Sequence, residues 1–158
     1  MVFILDYSIY YFIPSTKTYN ETMLTDAQII AKYGEPGDLE NFTIINLPYP
    51  MRIAWDLSKK VTRMQCHRLA AQDFTNVFTQ LLSTYGFNEI QRLGIDLFGG
   101  CVNVRKMRGS TNKWSRHSWG IAIDLDPARN GLKTNWANSQ FSKPEYKPMI
   151  DIFYANGF

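Results

Sequence analysis

Residues 115–124 read Ser-Arg-His-Ser-Trp-Gly-Ile-Ala-Ile-Asp, so a histidine and an aspartate bracket a run of mostly small and apolar side chains. From Gly120 onward the isoleucines alternate with small or acidic residues, which is typical of a strand with one face on a core. The other face carries Gly120, Ala122 and Asp124, which leave space for a bound ion or substrate. In one straight strand His117 and Asp124 would stand more than about 20 Å apart. They can meet only if the chain turns, and Gly120 supplies the freedom for a turn.

A neutral imidazole and a carboxylate are two of the ligand types that zinc takes in catalytic sites. A second interpretation stays open, in which His117 is a surface loop residue and Asp124 is a strand-end carboxylate bonded to backbone donors. Spacing does not separate the two interpretations, because an isolated histidine and aspartate are common.

The residues around this pair complete a longer pattern, Ser-x-His-x-x-Gly-x-Ala-x-Asp, with five fixed positions. These positions are Ser115, His117, Gly120, Ala122 and Asp124. The pattern resembles the motif of the zinc-dependent D-alanyl-D-alanine peptidases, which include D-Ala-D-Ala carboxypeptidases, dipeptidases and phage endolysins that cut L-alanyl-D-glutamate bonds in peptidoglycan. The resemblance covers about residues 50–158, since the stretch from Phe98 to Gly109 and the segment after Asp124 also resemble family members.

The resemblance implies a zinc metallopeptidase that hydrolyses peptidoglycan stem peptides, with a peptidoglycan peptide as its partner. His117 and Asp124 would be two of three zinc ligands, and Ser115 would orient the motif or hold the substrate. Arg105 or Arg108 would bind a substrate carboxylate or polarise the scissile carbonyl, which suits a planar, permanently charged donor. We take Arg105 as catalytic and Arg108, with Ser115, as substrate-binding. An ordinary surface charge is the alternative for either arginine.

The third ligand and the general base of the family have no counterpart in this sequence, which ends at Phe158. Because two protein ligands hold zinc weakly, we expect a truncated or processed peptidase domain that is inactive or impaired in this form. The other histidine, His67, follows Cys66 at the start of a predicted helix, where a structural role is favoured over zinc ligation. The alternative function is a non-catalytic module that binds cell-wall peptide.

The whole sequence predicts one α+β domain, with a small, mainly antiparallel sheet and helices packed on one face. Its 158 residues, 45% of them hydrophobic, suffice for one sizeable core. Residues 1–40 are interpreted as an N-terminal arm of unknown role, and residues 41–158 as the peptidase-like domain without the C-terminal strand of the family.

Periodicity and turn residues predict the individual elements. They are a strand or arm over 2–13, a helix over 27–33 capped by Thr25-Asp26, a strand over 42–47 closed by Pro48 and Pro50 with 51–55 as a candidate continuation, a helix over 61–85 ended by Gly86, a strand over 101–105 opened by Gly99-Gly100, a loop over 108–113, a strand over 120–126 and a helix over 148–156.

Net charge, cysteine spacing and the N-terminal residues limit which partners, bonds and locations are expected. The net charge of +3 without a block of like charges gives no reason to expect nucleic-acid binding. Cys66 and Cys101 lack zinc-knuckle or redox spacing, and buried thiols are favoured over a disulfide. The N-terminus lacks the basic residues of a signal peptide, and its apolar run is too short to span a membrane. A monomer is expected, with the cell wall or periplasm as the location of the substrate.

Overall fold

The computed structural model describes residues 2–4, 24–131, 134 and 136–158, with side chains from residue 24 onward. The strands are β1 (Val2–Ile4), β2 (Phe42–Ile53), β3 (Asp56–His67), β4 (Leu97–Gly100) and β5 (Ala122–Leu125), and the helices are α1 (Asp26–Tyr33), α2 (Ala71–Leu93) and α3 (Lys147–Ala155). The strands form one sheet in the order β1-β5-β4-β2-β3. The β2–β4 pair is parallel and the other described pairs are antiparallel. The predicted α+β domain is confirmed.

Helix α2 packs on β2 and supplies the centre of the core. Phe74, Val77, Phe78 and Leu81 are fully buried at the three- and four-residue steps that put side chains on one helix face. Burying each such side chain contributes about 1.5–3 kcal/mol relative to leaving it in water. Every helix of the described residues is too short or too polar to cross a membrane.

The long helix begins later than predicted, because residues 61–67 belong to β3. Met64 and Cys66 are buried while Arg63 and Gln65 are exposed, which is the two-residue period of a strand. The prediction of a helix from residue 61 was therefore wrong. Gly86 interrupts the helical backbone with φ 69° and ψ 157°, yet α2 resumes beyond it and is capped at Gly94.

The strand β2 continues through both prolines that were predicted to close it. Its register with β3 shifts between Asn46 and Met51, so Pro48 and Pro50 lie where the ladder is already broken. The predicted strand end at Pro48 was wrong, and the candidate continuation is confirmed as far as Ile53.

The next strand lies earlier than predicted, at Leu97–Gly100 instead of 101–105. A Cβ on Gly99 would come 2.8 Å from the Cβ of Asp124, so this glycine permits the close approach of β4 to β5. Asp96 is fully buried just before β4 and accepts two bonds from Arg52, at 2.6 and 2.7 Å, which fix β4 beside β2.

The terminal elements follow the sequence prediction. Thr25 and Gln28 form a capping box at the start of α1, which ends at Gly34, and α3 carries Pro148 in its first turn. In the predicted N-terminal strand or arm, residues 2–4 pair with β5, and residues 5–13 lie outside the described residues. The division at residue 40 stays a prediction, while Ile29 and Tyr33 of α1 are buried in the common core.

Candidate functional site

The chain makes the predicted turn between the histidine and the aspartate of the motif. Residues Arg116–Trp119 form one turn of 3₁₀ helix, and Gly120 follows with φ 65° and ψ 30° in the left-handed region. A Cβ at Gly120 would lie 2.8 Å from the backbone nitrogen of His67, so the position also lacks room for a side chain. The turn brings His117 Nε2 within 3.4 Å of Asp124 Oδ2.

His117 is buried, with 5% of its surface exposed, so it is not a surface loop residue. Its Nδ1 lies 2.7 Å from the carbonyl oxygen of Cys101. Because a carbonyl can only accept, the partner assigns a hydrogen to Nδ1, so the neutral ring carries its lone pair on Nε2. Within the described part of the chain, Nε2 is buried without a hydrogen-bond partner.

A lone pair and a carboxylate oxygen repel each other unless a proton or a metal ion lies between them. Two ligands about 2.0–2.2 Å from zinc at a tetrahedral angle stand about 3.3–3.5 Å apart. The 3.4 Å between His117 and Asp124 fits this geometry, so both side chains could hold one ion. In residues 24–131, 134 and 136–158, no three His, Cys, Asp or Glu side chains are grouped so as to hold a metal.

A pocket of about 150 Å³ opens beside this pair. Its lining consists of Trp55, Gly99, Gly100, Val102, Asn103, Arg105, His117 and Asp124. A Cβ on Gly100, where φ is 121°, would meet nothing within 4 Å, so the floor there is bare backbone facing open space. Asp124 keeps 30% of its side chain exposed, which makes the carboxylate accessible from the pocket.

Arg105 and Arg108 are placed differently. Arg105 is half-buried and lines the pocket together with the histidine–aspartate pair. Its backbone nitrogen donates to Ser118 Oγ at 3.0 Å, and Ser118 Oγ donates to its carbonyl oxygen at 2.9 Å. Arg108 is exposed and does not contribute to the pocket lining, so the pocket favours Arg105 over Arg108 as the arginine that meets a substrate.

Ser115 supports the turn from its N-terminal side. Its backbone nitrogen donates to Arg105 O at 3.0 Å, and its carbonyl oxygen accepts from the nitrogen of Ser118 at 2.9 Å. It is buried and does not line the pocket, which favours the predicted orienting role over direct contact with a substrate.

Comparison with known proteins points to the same part of the chain. Residues 108–158 match the family model described as D-alanyl-D-alanine carboxypeptidase. This segment is similar to a peptidase family. The match spans about a third of the chain and includes the 3₁₀ turn, β5 and α3. No curated protein and no solved structure shows significant similarity to the chain.

Cys66 and His67 do not contribute to this peptidase-like site. His67 Nδ1 accepts a hydrogen bond from Leu69 N at 3.1 Å, which leaves Nε2 to donate to Tyr33 O at 2.9 Å. Because Nδ1 accepts one hydrogen bond and Nε2 donates another, the ring has no free lone pair for a metal, which confirms the favoured structural role. Cys66 and Cys101 are buried free thiols, as the sequence favoured.

Six residues of the site were not predicted as site residues, namely Trp55, Gly99, Gly100, Val102, Asn103 and Ser118. Trp55 and Asn103 line the pocket, and Ser118 holds the backbone of Arg105. A tryptophan at the two-residue tip of a hairpin is a usable signal, but only once β3 is recognised as a strand. Ser118 lies inside the motif at a variable position, so the pattern gave no reason to single it out.

Proposed function

We propose that this protein is a zinc-dependent peptidase of peptidoglycan stem peptides, a D-Ala-D-Ala carboxypeptidase or an L-Ala-D-Glu endopeptidase, whose activity is impaired in this form because the described residues supply no third ligating group. The observation that carries the proposal is the buried, unbonded Nε2 of His117, which faces Asp124 Oδ2 at 3.4 Å. The match of residues 108–158 to a carboxypeptidase family supports it independently.

Four residues of the pocket lining have a role in this proposal. His117 and Asp124 hold the ion, and the Cys101 carbonyl fixes the tautomer of His117. Zinc in such a site supplies Lewis-acid activation of water and of the scissile carbonyl. Arg105 binds a carboxylate or the carbonyl oxygen of the substrate, and the bare backbone of Gly100 lets the peptide approach the floor.

A non-catalytic module that binds cell-wall peptide is the second candidate. The observation that favours it is the histidine–aspartate pair standing without a third ligating group among the described residues. Such a module would keep the pocket and Arg105 for recognition but would lack the ligand set that holds zinc tightly.

Metal binding tests the proposal directly. We expect the chain to take up one zinc ion weakly, measured by competition with a chromophoric chelator, and His117→Ala or Asp124→Ala to abolish uptake. His67→Asn is the matched control, because His67 is the other histidine and both of its ring nitrogens are bonded. Equal zinc uptake by wild type and His117→Ala would refute the assigned site.

Turnover separates the two candidates. The zinc-saturated chain is incubated with synthetic stem peptides, and the product masses show whether the D-Ala-D-Ala or the L-Ala-D-Glu bond is cut. Cleavage that depends on His117 supports the peptidase, whereas peptide binding without cleavage supports the module. Absence of both cleavage and binding at saturating zinc contradicts both proposals.

The two arginines can be compared in the same assay. Arg105→Gln is expected to lower kcat/KM by about 10²-fold or more, as expected for removal of a donor that binds developing charge. Arg108→Gln is the control, since Arg108 lies outside the pocket lining and should change kcat/KM much less. Equal losses in both variants would contradict the placement of Arg105 as the catalytic arginine.

A further inference from the structure

We propose that Trp55 is a substrate-binding residue that holds the part of an extended substrate lying outside the pocket, by stacking on an apolar face of that part. The inference rests on the proposed function and deepens it, because it makes peptidoglycan fragments longer than the pocket the preferred substrate class.

The backbone at Trp55 is anchored by strand pairing and by a hydrogen bond to β4. Ala54 and Trp55 form the two-residue tip between β2 and β3, where Ile53 pairs with Asp56. Ala54 N donates to Phe98 O at 3.0 Å, which ties the tip to β4. The indole is therefore presented from a fixed backbone, and a tryptophan has only two side-chain torsions to order when a ligand binds.

The indole of Trp55 lines the pocket, but most of its surface is exposed to solvent. Trp55 lines the pocket with Arg105, His117 and Asp124, yet it is 73% exposed. Among the described residues, no aromatic ring or cation stacks on it, whereas Trp114 and Trp119 each carry a cation over the ring. Most of its apolar surface is therefore available to a ligand that extends out of the pocket.

The size of the pocket explains why a ligand would extend this way. A volume of about 150 Å³ is small beside the roughly 300–1,000 Å³ typical of sites that enclose a whole ligand. Only the end of a stem peptide fits beside the histidine–aspartate pair, and the remainder must leave across the rim of the pocket, of which Trp55 is a part. Both a sugar ring and an aliphatic part of the peptide present an apolar face to an indole.

Binding is the closing test, measured by fluorescence polarisation with labelled ligands and with zinc chelated. The ligands are a short D-Ala-containing peptide, a full stem peptide, and the stem peptide linked to its muramoyl sugar. We expect Trp55→Ala to weaken binding of at least one longer ligand by about tenfold, to spare the short peptide, and Trp55→Phe to retain most affinity.

Trp136→Ala is the matched control, because Trp136 is also exposed, at 53%, and does not line the pocket. Loss only with the sugar-linked ligand assigns the stacking to the sugar, and equal loss with both longer ligands assigns it to the peptide. Unchanged binding in Trp55→Ala, or an equal loss in Trp136→Ala, overturns the inference. Because zinc is chelated, failure of the peptidase proposal would leave this result interpretable.

Discussion

His117 and His67 have the same side chain, and the fold uses them in opposite ways. Both are buried, but His67 bonds through both ring nitrogens, whereas His117 bonds only through Nδ1 among the described residues. A buried nitrogen without a partner costs free energy, so its retention next to a carboxylate points to a function other than stability. The histidine count alone could not have distinguished the two.

Stability below neutral pH should depend on His67. Burial lowers the pKa of His67 from its ordinary value of 6.5, so the native state keeps the ring neutral. The unfolded state takes up a proton below about pH 6.5, so the stability due to the neutral ring is complete above that pH and decreases as pH falls.

Urea unfolding between pH 5 and 8 measures this dependence. His67→Asn keeps an acceptor for Leu69 N, as expected of a capping residue, but cannot titrate. Its free energy of unfolding should therefore vary less with pH than that of the wild type. An unchanged pH slope in His67→Asn would show that another group is responsible.

Gly120→Ala should be strongly destabilising. The left-handed backbone alone costs a non-glycine residue about 1–2 kcal/mol, and the added Cβ would also meet the backbone of His67 at 2.8 Å. Gly109→Ala is the control, since Gly109 has φ 77° but nothing within 4 Å of the added Cβ. Urea unfolding should give a clearly larger loss at Gly120, and comparable losses would mean that the contact with His67 is unimportant.

At the scale of elements, local signals predicted the limits of α1 and α3 well but failed for α2 and for the middle of the sheet. Thr25 and Gly34 mark the limits of α1 by side-chain capping and positive φ, both of which are local. The β2–β3 hairpin was not predicted, because Val61 and Met64 stand three residues apart, which is helical spacing. Its strand character depends on pairing with β2, and pairing is a property of two distant segments.

The hydroxyl of Tyr85 on α2 forms hydrogen bonds at the start of α3, and their contribution to stability can be tested. Tyr85 Oη donates to Glu145 O at 2.9 Å and accepts from Met149 N at 3.0 Å. Tyr85→Phe leaves a backbone donor in the first turn of α3 without this partner and should cost about 1–2 kcal/mol.

Tyr49→Phe is the contrasting variant. Tyr49 Oη is buried without a hydrogen-bond partner among the described residues. Removing this hydroxyl should leave the free energy of unfolding unchanged or raise it, because no bond is lost and no polar atom stays buried. Guanidinium unfolding of both variants checks the contrast, which disappears if the two variants lose equal stability.

At the scale of the whole molecule, the pocket combines three segments that are far apart in sequence: the hairpin tip at residue 55, the stretch 99–105, and the motif 117–124. The sequence singled out His117 and Asp124 in the third segment and Arg105 in the second. It could not predict the hairpin tip or the pocket boundary, because both arise from strand order, and strand order is set by packing across the sheet. The α+β class needed only periodicity and composition.

The labelling rates of the two thiols test whether the core remains closed to solvent in the native protein. Burial raises the pKa of Cys66 to about 12 and that of Cys101 well above its ordinary value. Because the thiolate is the reactive form, both thiols should react with an aromatic disulfide reagent at pH 8 only slowly in the native protein and rapidly in urea. Fast labelling of one thiol without denaturant would reveal local opening, and fewer than two thiols in urea would indicate a disulfide.

The single turn Arg116–Trp119 connects three parts of the molecule through consecutive side chains. Arg116 binds Asp26 of α1 at 2.8 Å, His117 faces the pocket, and Ser118 holds Arg105. In a 3₁₀ helix each added residue rotates everything after it by about 120°. One inserted or deleted residue within the turn would therefore misdirect more than one of these side chains at once. A change in the length of this segment is therefore expected to be more damaging than any single substitution within it.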